Sequence, residues 1–158
     1  MNQVTPLFQD AYTSTALPVS VFCQRAPLLA VVTDNPRMAR ELTRICQFFD
    51  IAIERVSSEQ DLTAVLCDCN PMGVVAELDA TEQDGFHVMK IVATHDPTLP
   101  MLLLTGHDPH LAGAADAVEQ VWGLTSVRQS PFLSPIGHLV EFFCHAGRQG
   151  NCLSLMPA

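Results

Sequence analysis

Apolar residues fall into five short runs, and each is followed by a stretch of helical spacing. Leu28 to Val32 (LLAVV) is uninterrupted, as a strand buried on both faces should be. Thr33-Asp34-Asn35-Pro36 stops it, and either Asp34 or Asn35 caps a helix with Pro36 in its first turn. Met38, Leu42, Ile45 and Phe49 then recur at helical spacing and form its inward face. Ile51 to Val56 alternates like an edge strand. Ser57 and Ser58 with Gln60 and Asp61 outline a capping box, and the helix reaches about Asp68 with Leu62, Val65 and Leu66 inward. Asn70-Pro71 ends it.

The central run, Met72 to Leu78, leads through an acidic loop to Asp84-Gly85, which opens a third helix bearing Phe86, Val88, Met89 and Val92. His95-Asp96-Pro97 closes that helix. Met101 to Leu104 is again wholly apolar, and Thr105-Gly106 ends it. The fourth helix, His110 to about Trp122, has a thin stripe of Leu111, Ala115, Val118 and Val121. Thr125 to Gln129 is a weak fifth strand. Ser134-Pro135 caps a last helix with Ile136, Leu139, Val140 and Phe143 inward, and Gly147 ends it. Strands alternating with helices predict an α/β chain built on a doubly wound parallel sheet.

Composition narrows the classes of function. A chain of 158 residues with 48% apolar residues is long enough for one well-buried core. A net charge of -9 argues against a nucleic-acid partner, because such affinity rests on Lys and Arg contacts to phosphates. No apolar run approaches the roughly 18 residues of a membrane span, so no membrane is expected. The start, MNQVTPLFQD, lacks the basic and apolar segments of a secretory signal. The six cysteines (Cys23, Cys46, Cys67, Cys69, Cys144, Cys152) are then expected as reduced thiols in a cytoplasm. Cys46 and Cys144 fall on apolar helix faces. Cys67-Asp68-Cys69 is a lone C-x-C without the second pair that a zinc site needs. A thiol-based sensor there is the rival reading. His107, Asp108 and His110 likewise fall short of a full ligand set. Neither a GxGxxG nor a P-loop is present, and no Ser/His/Asp or Cys/His set sits on the strand exits, so an enzyme is not expected.

The strand exits carry the polar residues of interest, because the working site of an open α/β sheet lies outside the carboxyl ends of its strands. Thr33-Asp34 follows the first strand, Glu77 the third (VVAELDATEQDGF), Thr105 the fourth, and Ser130-Pro131-Phe132 the fifth. From about Leu28 to about Phe143 the chain resembles the receiver (CheY-like) domain of bacterial response regulators. The resemblance implies a flavodoxin-like sheet of five strands in the order 2-1-3-4-5. It divides the chain into an extension (1–27), a receiver-like domain (28–146) and a tail (147–158). Val19 to Cys23 would be a short extra strand or a docking patch in the extension, and the tail a linker stub of a longer regulator.

That family phosphorylates an Asp at the third strand's exit, beside Mg²⁺ held by an acidic pair after the first. A hydroxyl after the fourth strand and a Lys before a Pro after the fifth complete its site. In this chain Glu77 falls on the acceptor, Thr33 and Asp34 on the acidic pair, Thr105 on the hydroxyl and Ser130 on the Lys. One acidic ligand and the cation are therefore missing. The expectation is a pseudo-receiver that works by protein–protein contact, with a protein partner and a homodimer. The resemblance places that contact on the fourth helix, fifth strand and fifth helix, here Trp122, Val127 and Phe132. No cofactor is expected; a weak cation site would fall on Asp34, Glu77 and Asp79, with Glu82 close in sequence. Two rivals remain open: Asp79 as an alternative phospho-acceptor, and a small-ligand or metal sensor in the same crevice.

Overall fold

The computed structural model describes residues 26–57, 59–78, 84–133 and 135–152. The extension with its Val19 to Cys23 strand, Ser58, the loop residues Asp79 and Glu82, Ser134 and the end of the tail lie outside the described residues. Among the described residues five strands alternate with five helices: β1 (Leu28–Val32), α1 (Pro36–Phe48), β2 (Ala52–Val56), α2 (Glu59–Asp68), β3 (Gly73–Glu77), α3 (Gly85–His95), β4 (Met101–Leu104), α4 (Pro109–Trp122), β5 (Val127–Ser130) and α5 (Ile136–Gln149). The strands are all parallel, in the order β2-β1-β3-β4-β5.

Side chains leave a strand on alternate faces, so each apolar run feeds two cores. Leu29, Val31, Val75, Leu102 and Leu104 pack under α1 and α5 with Leu42, Cys46, Leu139 and Phe143. Ala30, Val32, Val74, Ala76, Met101 and Leu103 pack under α2, α3 and α4 with Leu62, Leu66, Val88, Met89 and Ala115. Burial in the first core pushes the Cys46 thiol up to about 12. The edge strand β2 is mostly exposed and carries Glu54 and Arg55, while the opposite edge, β5, carries an exposed Arg128.

Four helix details differ from the sequence expectation. Val121 is 78% exposed, because Leu111, Ala115, Val118 and Trp122 take the inward stripe of α4. Ile136 is 54% exposed in the first turn of α5. Phe142 is instead fully buried, and its ring tip would lie 3.0 Å from a Cβ at residue 73, so Gly73 makes room for it. The last helix continues past Gly147 to Gln149, and Cys152 folds back under it, its N–H donating to the Gly147 carbonyl at 2.7 Å. Cys144 is half-buried, while Cys67 and Cys69 are exposed.

Gly85 is the tightest of the close approaches. A Cβ there would meet Leu78 Cα at 2.6 Å and the Glu77 carbonyl oxygen at 2.8 Å. At Gly113 on α4 a Cβ would meet nothing within 4 Å. We expect Gly85→Ala to lower stability by about 2 kcal/mol, as overpacking against backbone does. Gly113→Ala should instead raise stability by up to about 1 kcal/mol through helix propensity. Urea unfolding of both variants beside the unaltered chain checks the contrast.

Candidate functional site

The exit of β3 is built from both sides. Residues 73–76 are buried, and Glu77 emerges half-buried as the strand ends. The Leu78 N–H then donates to the Leu104 carbonyl at 3.0 Å, which extends the β3–β4 ladder by one bond. Gly85 presses on the Glu77–Leu78 backbone, and Asp84 caps α3 by accepting from the Phe86 N–H at 3.0 Å.

Beyond these exits lies a crevice of about 430 Å³. Its polar lining is Asp34, Asn35, Arg37, Glu41 and Glu77, and its apolar lining is Met38, Leu104, Pro131, Phe132 and Leu133. Three acidic residues and one arginine thus line it. Asn35, not Asp34, caps α1: its Oδ1 accepts from the N–H groups of Arg37 (3.0 Å) and Met38 (3.4 Å). Asp34 lines the crevice, as Glu77 does.

The other expected site residues are placed differently. Thr33 uses its hydroxyl oxygen to accept from the Asn35 N–H at 3.0 Å, and it does not line the crevice. Thr105 is buried, and its N–H donates to the Ser130 carbonyl at 2.9 Å. Ser130 is buried too, and its hydroxyl donates to the Phe132 carbonyl at 2.6 Å. Neither Thr105 nor Ser130 lines this crevice. The candidate acceptor Asp79 lies outside the described residues. Among those residues no three His, Cys, Asp or Glu side chains come together as a metal site. Asp108 serves as the cap of α4, accepting from the His110 N–H at 2.9 Å.

Some features of this end were not anticipated. Arg37 brings a cation into the crevice from the first turn of α1; its signal was its place directly after Pro36. His107 meets Phe132 edge-on, with ring centroids 4.6 Å apart, and so joins the loops that leave β4 and β5.

On the expected contact face, Trp122 and Val127 are half-buried against the second core, and Phe132 is 45% exposed. The face is laced by polar contacts instead. The Gln129 amide donates to Asp116 Oδ1 at 2.7 Å and to Glu119 Oε1 at 3.0 Å, clasping β5 to α4. On the other side Arg128 pairs with Glu141 of α5 at 3.4 Å. Burial raises the Glu119 carboxyl above its ordinary range; the Gln129 bond opposes this, and the charge of Asp116 adds to it. Burial lowers His145, with Arg128 and Arg148 acting the same way.

No family model matches the chain, and no curated protein matches it. Solved structures do. The receiver domain of the Francisella response regulator 1452 aligns with a TM-score of 0.61 at 15% identity, over 78% of this chain and 98% of that one. A response regulator receiver protein from Sinorhizobium medicae aligns at 0.61 and 18%, over 79% and 97%. A structure named adenylate cyclase from Rhodopirellula baltica aligns at 0.61 and 16%, over 80% and 91%. The chain therefore has the CheY-like receiver fold.

The clasp generates a pH prediction. A carboxyl whose folded pKa is raised binds its proton more tightly folded than unfolded, so its ionisation costs stability as pH rises. Glu119→Gln removes that cost and keeps an oxygen to accept from Gln129. The variant should melt at or above the unaltered chain at pH 7. Its advantage should shrink as pH falls and vanish below about 4.3, the unfolded Glu value. Thermal unfolding between pH 7 and 4 checks this; a deficit at every pH would mean that the hydrogen bond outweighs the burial.

Proposed function

We propose that this chain is a pseudo-receiver of a bacterial two-component signalling system, acting in the cytoplasm by protein–protein contact, without phosphorylation of an acceptor Asp. The observation that carries the reading is Ser130. It stands where the resemblance puts the cation, and its hydroxyl is turned into its own loop, onto the Phe132 carbonyl. No cation there offsets an incoming phosphoryl group, and Glu77 adds a carboxylate where the family has its acceptor. The crevice's carboxylates outnumber its guanidinium three to one, which further disfavours an added anion.

The contact face on α4, β5 and α5 presents Asp116, Glu119 and Glu141 against Arg128, with Val121 and Phe132 as exposed apolar points. That charge balance suits a signalling partner with basic groups. It suits a second copy poorly, since two such faces would set acid against acid. Homodimerisation is part of the proposal, through a different face. Neither a nucleic acid nor a membrane is among the proposed partners, and no described helix is long and apolar enough to cross a membrane. A small-ligand sensor is the second reading. It is favoured by the volume and apolar floor of the crevice, which fall in the range of ligand pockets.

The test is a two-dimensional NMR spectrum with and without Mg²⁺ and beryllofluoride, a phosphoryl mimic. Amide peaks of Glu77, Thr105 and Val127 should stay in place; a concerted shift would make the chain a working switch, with Asp79 the first acceptor to mutate. A thermal-shift screen with nucleotides and divalent ions addresses the sensor reading, and no stabilisation is expected.

A further inference from the structure

Helix α1 is divided sharply between its two sides. Met38, Ala39, Leu42 and Cys46 are buried, while Arg37, Arg40, Glu41, Arg44 and Phe48 are exposed. In a chain of net charge -9, three of its eight Lys and Arg residues lie on this one helix. Phe48 is 83% exposed but not loosely placed. Its ring meets Phe49 edge-on at 5.2 Å, and Phe49 meets the buried Phe143 at 5.8 Å. A shallow groove of about 470 Å³ lies on the same helix, between Arg37, Arg40, Glu41, Arg44, Ile45 and the exposed Ile136 of α5. Among the described residues, no side chain of this chain pairs with Arg37, Glu41 or Arg44.

The exposed stripe Arg37, Glu41, Arg44, Phe48 is spaced by four, three and four residues, the repeat of a coiled-coil seam. Such a seam has a partner encoded in its order. An antiparallel second copy, related by a two-fold axis between Leu42 and Thr43, sets Glu41 against Arg44 of the other copy, and Arg44 against its Glu41. The same axis sets each Arg37 over the other copy's Phe48, a cation on an aromatic face. Parallel pairing would oppose Arg37 to Arg37 and Arg44 to Arg44. The stripe is therefore self-complementary in one orientation, which is what a two-fold interface requires.

We propose that two copies of this chain associate through α1, antiparallel, with reciprocal Glu41–Arg44 pairs at the centre and Arg37–Phe48 contacts at the ends. This names the face for the homodimer proposed above and does not depend on the chemistry of Glu77 or Ser130. Arg37 and Glu41 also line the strand-exit crevice, so the association borders that crevice on the α1 side.

Sedimentation of the full chain and of two exposed-residue variants tests the idea. The unaltered chain should sediment as a dimer at tens of micromolar. Glu41→Arg and Arg44→Glu should each sediment as a folded monomer, since each opposes like charges across the axis. Mixed one to one, the two variants should regain a dimer, because each supplies the charge that the other lacks. An unaltered chain that stays monomeric would overturn both the homodimer and its face. A dimer that persists in both single variants would overturn the α1 face and leave the homodimer standing. Two monomeric variants that fail to dimerise when mixed would overturn the reciprocal pairing; an acidic partner helix would then be the better occupant of the stripe.

Discussion

The contact of Gly85 with the Glu77–Leu78 backbone is the constraint on which the working end of this molecule depends. The central strand must stop, and the third helix must start against it with no room for a Cβ. Strand and helix are thereby locked at one point, with Asp84 capping the helix immediately before it. The carboxylate of Glu77 emerges at a fixed place relative to β1 and β4, which pair with β3 on either side. Close packing of this kind tolerates little change in volume.

The electrostatics of the same end follow from where the charges are sunk and where they are paired. The crevice collects three carboxylates and one guanidinium. The next available polar groups, at the end of β5, are spent on structure. Ser130 satisfies the Phe132 carbonyl, Gln129 bridges two acids of α4, and Arg128 reaches Glu141 of α5. A strand only four residues long is thereby held on both of its faces by polar side chains. Its weak apolar pattern made it the least evident strand in the sequence, and these polar clasps compensate.

Most of the fold was legible because strands buried on both faces must be apolar throughout: LLAVV, GVVA and MLLL can be little else. The turn at Asp84-Gly85 was legible for a related reason, since cap and close approach call for those residue types. The site was read less fully, because sequence order does not say which face a strand's last residue takes. Glu77 ends β3 in register with Leu104, whereas Thr105 lies beyond the end of β4 and is buried. Exits that read as one cluster along the chain therefore do not all open into one crevice. Asp34 and Asn35 were equally good caps on paper, and only the backbone geometry chose Asn35. On α4 the small residues gave several alternative stripes, and Trp122, being larger, took the inward place from Val121.

The two rims of the sheet bear on how such a molecule meets others. Open parallel sheets end in unpaired backbone groups that invite further strands. Here β2 offers Glu54 and Arg55, and β5 offers Arg128 on a short run that ends at Pro131. Charges and a proline at these positions discourage edge-to-edge growth. Contact is steered instead to the helical surfaces, where the affinity of an encounter can be tuned one side chain at a time. Edges guarded in this way resist the strand-by-strand addition that builds fibres.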